Sequence, residues 1–119
     1  MNESKRMARI AYKALEEKMA EEINIIDISG VSVLADYFLI ANGKNSNHVQ
    51  ALVDQVDEAM GRAGYDCRQI EGYQTANWVL LDYKDIVVHI FSQEDRRFYD
   101  LERIWRNGTF LAEKDLEEE

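Results

Sequence analysis

A chain of 119 residues fits one domain and is long enough to bury a core without covalent staples. Its 46% hydrophobic and 31% charged content excludes a disordered chain, and Cys67, the only cysteine, excludes an internal disulfide or a multi-cysteine metal site. A net charge of −9 argues against nucleic acid as the main partner, since phosphate binding needs clustered Lys and Arg; it suits a basic protein partner or simple solubility.

The N-terminus, MNESKRMARIAYKALEEKMAEE, lacks the apolar run of a signal peptide and is too acidic for a transit peptide. No apolar stretch approaches the roughly 18 residues of a membrane span. The expectation is a soluble, cytoplasmic protein without membrane contact.

Residues Ser4 to Glu22 read as an amphipathic helix, capped by Asn2 or Ser4, with Met7, Ile10, Ala11, Ala14, Leu15 and Met19 on one stripe. That stripe packs on a sheet or on a second copy. Ile23 to Ile28 is a β-branched strand, and Ser29-Gly30-Val31 a turn or bulge. Asp36 to Ala41 is a second strand, apolar throughout and so buried on both faces. Asn42-Gly43-Lys44-Asn45-Ser46 is a loop whose Asn45 or Ser46 caps a helix from Asn47 to Ala63, and Gly64 stands at its left-handed stop.

Tyr65 to Ile70 reads as a third strand. Trp78 to Tyr83 and Ile86 to Phe91 pair as a hairpin across Lys84-Asp85. Ser92 opens a helix with Asp95 as its capping-box partner, and Phe98, Leu101, Ile104 and Trp105 form its apolar stripe. Arg96 and Asp100 can pair on its surface. Gly108 stops it, and an acidic tail frays beyond Phe110 and Leu111. The order α-β-β-α-β-β-β-α predicts one mixed α/β sheet of about five strands, with the second strand, helix and third strand as a crossover unit. The domain is expected over residues 1–110 and the tail over 111–119.

Three constellations carry candidate chemistry. The 42–46 loop, between a strand and a helix N-terminus, could cradle a phosphate, but the glycine and Lys-Ser/Thr spacings of known phosphate loops are missing. Two-metal phosphoryl transfer needs paired carboxylates, and no Asp-x-Asp occurs; Asp100 and Glu102, two apart on a helix, point in different directions. His48 and His89 have no nucleophile or ligand cluster beside them, so His89 reads as a half-buried structural histidine. No catalytic residue, metal ligand or cofactor site is expected.

The hairpin is different. Alternation puts Trp78, Leu80 and Asp82 on one face and Val79, Leu81 and Tyr83 on the other, and both sets are largely apolar. Either helices cover both faces or one is a docking face; the pattern leaves both open. The Arg96–Glu102 stretch is either a solvated helix surface or the flank of that docking site.

The segments Ala35-Asp36-Tyr37-Phe38, Glu71-Gly72, Trp78-Val79-Leu80-Leu81-Asp82, Val87-Val88-His89-Ile90-Phe91, Arg97-Phe98-Tyr99 and Leu101-Glu102-Arg103-Ile104-Trp105, in that order and spacing, resemble the ribosomal silencing factor family (Iojap, or RsfS). The resemblance runs from about Ser4 to Asn107. It implies a nucleotidyltransferase-like fold without catalytic carboxylates. It also implies a non-enzymatic function: binding the large ribosomal subunit through its fourteenth ribosomal protein, so that the small subunit cannot join and translation is repressed in nutrient shortage. Carried over, the docking residues are Trp78, Leu80 and Asp82, with Tyr99 and Glu102 beside them. A homodimer when free is implied as well. The alternative function is residual nucleotide binding or nucleotidyl transfer in the same fold. One departure is Lys84, where many members carry Gly; a lysine at positive φ costs about 1 kcal/mol, so a different turn type is expected here.

Overall fold

The computed structural model describes residues 3–117. In chain order it builds α1 (Glu3–Glu17), β1 (Glu21–Asp27), β2 (Tyr37–Gly43), α2 (Ser46–Arg62), β3 (Gln69–Glu71), β4 (Trp78–Asp82), β5 (Ile86–Ser92), α3 (Gln93–Tyr99), α4 (Leu101–Ile104), β6 (Thr109–Leu111) and a 3-10 turn (Glu113–Leu116). The strands form one mixed sheet in the order β3-β4-β5-β2-β1-β6. The mixed α/β class stands as read, with six strands instead of about five. β6 escaped because it is three residues long and follows directly on the Gly108 stop signal.

The crossover also differs from expectation. β2 runs parallel to β5, with α2 and the β3–β4 hairpin between them in sequence, while β3 pairs only with β4, antiparallel, at the sheet edge. The third strand shrinks from the expected Tyr65–Ile70 to three exposed residues.

α1 and α2 cover one face. Leu39, Val79, Leu81, Val88 and Ile90 point to Ala11, Leu15, Leu52 and Val56 in one fully buried cluster. Each large side chain there contributes about 1.5–3 kcal/mol of transfer free energy. β2 is buried at all seven positions, as its unbroken apolar run implies.

Helix ends follow local chemistry. Asn45 caps α2, its Oδ1 accepting from the His48 N–H at 2.8 Å. Gly64 is left-handed at φ 93°. α1 stops at Glu17, short of the expected Glu22, because Met19 takes a left-handed φ of 62°, where glycine is usual. The Met19 and Ala20 N–H groups then turn back to the carbonyls of Glu16 and Leu15. Met19 is exposed rather than on the buried stripe. Ser4 lies inside the helix and donates to Asp36 at 2.7 Å instead of capping; Asn2 lies outside the described residues.

The opposite face is covered only in part. The helix opened by Ser92, whose Oγ accepts from the Asp95 N–H at 3.2 Å, breaks at Asp100, which is left-handed at φ 50°, ψ 54°. The break shifts the helical phase, so i,i+4 spacings across it no longer hold. Leu101 is buried and Trp105 half-buried, edge-on to Phe38, but Phe98 and Ile104, expected in the core, are 78% and 66% exposed. Arg96 pairs with Glu102, not with Asp100.

The described residues of the acidic tail pack against the domain. The Ala112 N–H donates to the Asp115 carboxylate at 2.8 Å, Lys13 reaches Glu113 at 3.2 Å, and Leu116 is fully buried beside α1. Among the described residues no helix is long and apolar enough to cross a membrane.

Candidate protein-docking face

β4 decides the site. Its odd positions, Val79 and Leu81, go under the helices, and Trp78, Leu80 and Asp82 face the other way. Across the ladder these three meet Phe91, His89 and Val87 on β5, and Glu71 of β3 stands outside Leu80. α3 and α4 pack over β5 and β2 and reach β4 only where Tyr99 meets Trp78. Trp78, Leu80 and Val87 are therefore half-exposed on a sheet surface whose outer edge carries Glu71 and Asp82.

Trp78 is fixed from several sides. Its ring stacks on Phe91 at 5.1 Å and meets Tyr99 at 4.6 Å between centroids. Its indole N–H donates to His89 Nδ1 at 3.1 Å, so the indole offers apolar surface to a partner rather than a donor. His89 is buried, not half-buried as its strand position suggested. Accepting at Nδ1 makes it neutral, with its proton on Nε2. Burial pulls its pKa down to about 4 against the opposing field of Glu102. Its Nε2 has no hydrogen-bond partner among the described residues.

Gly72 lets the 72–77 connection pass close to β4. It sits at φ 85°, and a Cβ there would lie 2.2 Å from the Trp78 carbonyl oxygen. The result is a shallow hollow of about 230 Å³ lined by Glu71, Gly72, Trp78 and Leu80.

Of the five residues carried over from the resemblance, four come together: Trp78, Leu80 and Asp82 on the sheet, and Tyr99 from the end of α3. Asp82 accepts from the Lys84 N–H at 2.8 Å and faces Arg68 at 3.8 Å. Glu102 is committed elsewhere. Its carboxylate accepts from Arg96 and from Asn24, the latter at 2.9 Å. Burial pushes the Glu102 carboxyl up, but the Arg96 and Asn24 hydrogen bonds outweigh it and hold it below the usual range. Arg96 in turn donates to Asn42 Oδ1 at 2.9 Å. Glu102 thus braces α3 and α4 against β1 and β2. Val87 and Glu71 also belong to the face, placed there by the cross-strand register opposite Asp82 and Leu80.

Several polar groups of the 42–46 loop are turned onto the chain itself. The Lys44 N–H donates to His48 Nδ1 at 2.9 Å, Asn45 Oδ1 is taken by the helix cap, and His48 Nε2 reaches the Lys18 carbonyl at 2.8 Å. Among the described residues no group of three His, Cys, Asp or Glu side chains is placed to hold a metal. The turn at Lys84 does take positive φ, 74°, contrary to the expected change of turn type. The Asp85 N–H closes it onto the Tyr83 carbonyl at 2.9 Å, a γ-turn with Lys84 at its centre.

Comparison with known proteins bears on the family and the fold. A family model described as "Ribosomal silencing factor during starvation" matches residues 1–119. The ribosomal silencing factor of Bacillus subtilis is 39% identical over 112 residues, which is 94% of each chain. The mouse mitochondrial assembly of ribosomal large subunit protein 1 is 28% identical, over 81% of this chain and 43% of its own. A crystal structure of a Chromobacterium violaceum protein superposes with a TM-score of 0.86 at 31% identity, over 93% of this chain and 92% of that one.

Proposed function

The chain belongs to the ribosomal silencing factor family, a family of regulators rather than enzymes, and from that premise we propose that it docks on the large ribosomal subunit through the Trp78–Leu80 sheet face. The partner is the fourteenth protein of that subunit. The factor then occupies ground that the small subunit needs, and joining fails by steric exclusion. No bond is made or broken.

The observation that carries this reading is the uneven cover of the sheet. Helices bury β4 on one face, and on the other they reach it only through Tyr99 at Trp78. A half-exposed, rigidly held tryptophan beside leucine and valine, edged by Glu71 and Asp82, is the composition of an interface centre with a charged rim. Acids at the rim suit a basic partner and speed encounter. The name of the mouse relative supports the large subunit as the target. A cytoplasmic setting and a homodimer of the free chain belong to the same proposal; the bacterial relatives support the first.

Two measurements test it. Mixing the protein with separated subunits on a sucrose gradient should shift material from joined ribosomes to free subunits in proportion to occupancy. Trp78→Ala should weaken large-subunit binding by about 2 kcal/mol. Full joining at saturating factor would remove the exclusion mechanism, and unchanged binding by Trp78→Ala would remove the face.

A further inference from the structure

We propose that the hollow between α3 and α4 is a second contact, one that takes ribosomal RNA next to the protein-docking face. The inference rests on the docking reading above and extends it to the surface beside it. The hollow, about 460 Å³, is lined by Arg97, Arg103 and Arg106 with Phe98, Tyr99 and a single acid, Asp100. In a chain of net charge −9 this is a local reversal of sign. Among the described residues none of the three arginines reaches a carboxylate at ion-pair distance, whereas the neighbouring Arg96 is paired with Glu102.

The left-handed Asp100 makes the concavity by turning α4 away from α3. It also puts Phe98 outside, 78% exposed and edge-on to Tyr99 at 5.1 Å. Tyr99 in turn touches Trp78. One aromatic line therefore runs from the docking face into the arginine hollow, and a partner seated on Trp78 has its own surroundings at the arginines.

The chemistry selects between the two surfaces a ribosomal subunit presents. Its proteins are mostly basic, and three unpaired guanidinium groups repel them. Its RNA offers phosphates, which arginine grips with paired donors, and unstacked bases, which an exposed phenylalanine can stack upon. The RNA contact is auxiliary: with so acidic a chain, the hollow does not hold RNA without the docking face as anchor.

The test uses the full chain with Arg97, Arg103 and Arg106 all changed to Gln, and separately Phe98→Ser, after unchanged thermal melting shows both fold. Binding is measured to isolated large subunits across a KCl series, and to the purified fourteenth ribosomal protein alone. The expected result for the triple variant is about tenfold or more weaker subunit binding, with the slope of log K against log [KCl] reduced by about 2. Binding to the lone protein should be unchanged or tighter. Phe98→Ser should weaken only the subunit complex. Equal losses on both targets mean that the arginines meet protein, and no loss on the subunit means that the hollow is idle; either overturns the RNA contact while leaving docking intact. If the wild type fails to bind the subunit at all, the docking reading falls and this one with it.

Discussion

Trp78 and His89, eleven residues apart on neighbouring strands, are joined by a hydrogen bond from the indole N–H to Nδ1 at 3.1 Å. The bond fixes the imidazole as the neutral tautomer and fixes the tryptophan at the centre of the proposed docking face. A histidine in mid-strand is here a support for an exposed side chain.

The bond makes the face sensitive to acid. Burial lowers the His89 pKa from 6.5 to about 4, against the field of Glu102, whose own charge is largely met by Arg96. The unfolded chain therefore binds a proton that the folded chain refuses between those values. The contribution is fully present above pH 6.5 and is lost as pH falls toward 4, by about 3 kcal/mol in all. Urea unfolding at pH 7, 5.5 and 4.5 should show the loss. His89→Leu should flatten it over that window and cost about 1–3 kcal/mol at pH 7, by stranding the indole N–H.

Breaking the Arg96–Glu102 pair should be more damaging than its place on two short helices suggests. Arg96 is buried, and its partners are Glu102, Asn42 Oδ1 and the Glu21 carbonyl. Glu102→Ala leaves a buried guanidinium without its counter-charge, at a cost of about 3–5 kcal/mol. Thermal unfolding measures this. If Glu102 were instead a docking residue on a solvated surface, stability would hardly move and only subunit binding would fall.

Two positions should respond in opposite senses to exchange with glycine. Lys84 sits at φ 74°, so Lys84→Gly should stabilise by about 1 kcal/mol. Gly72→Ala puts a methyl group 2.2 Å from the Trp78 carbonyl at a positive φ, so it should destabilise by about 2 kcal/mol or more and displace the docking strand. Denaturation midpoints give both values, and tryptophan fluorescence reports the displacement.

What the chain reveals of itself depends on how local the cause is. The Asn45 and Ser92 caps, the Gly64 stop, the two-faced burial of β2 and the alternation of β4 follow from neighbouring residues, and each is present. The left-handed residues Met19 and Asp100 were not legible, because neither is a glycine and the backbone hydrogen bonds that close each turn carry no residue signature. That one break at Asp100 moved Phe98 and Ile104 from core to surface and gave Arg96 a different partner. Strand alternation does put Trp78, Leu80 and Asp82 on one face of β4, whereas Glu102, beyond the break at Asp100, is turned to Arg96 and Asn24. β6 and the 3-10 turn are short elements fixed by pairing with β1 and α1, and nothing in their own residues announces them.

The central claim is that the open part of the β4 face carries the docking, and Leu80 tests it with least disturbance, since it is half-exposed and lies outside both buried clusters. The measurement is co-sedimentation of wild type and Leu80→Glu with isolated large ribosomal subunits, with thermal melting run alongside. Wild type should pellet with the subunit in saturable fashion. Leu80→Glu should melt like wild type and bind more weakly by about 2 kcal/mol or more, roughly thirtyfold. Wild type that stays in the supernatant, or a variant that pellets as well as wild type, would contradict the account.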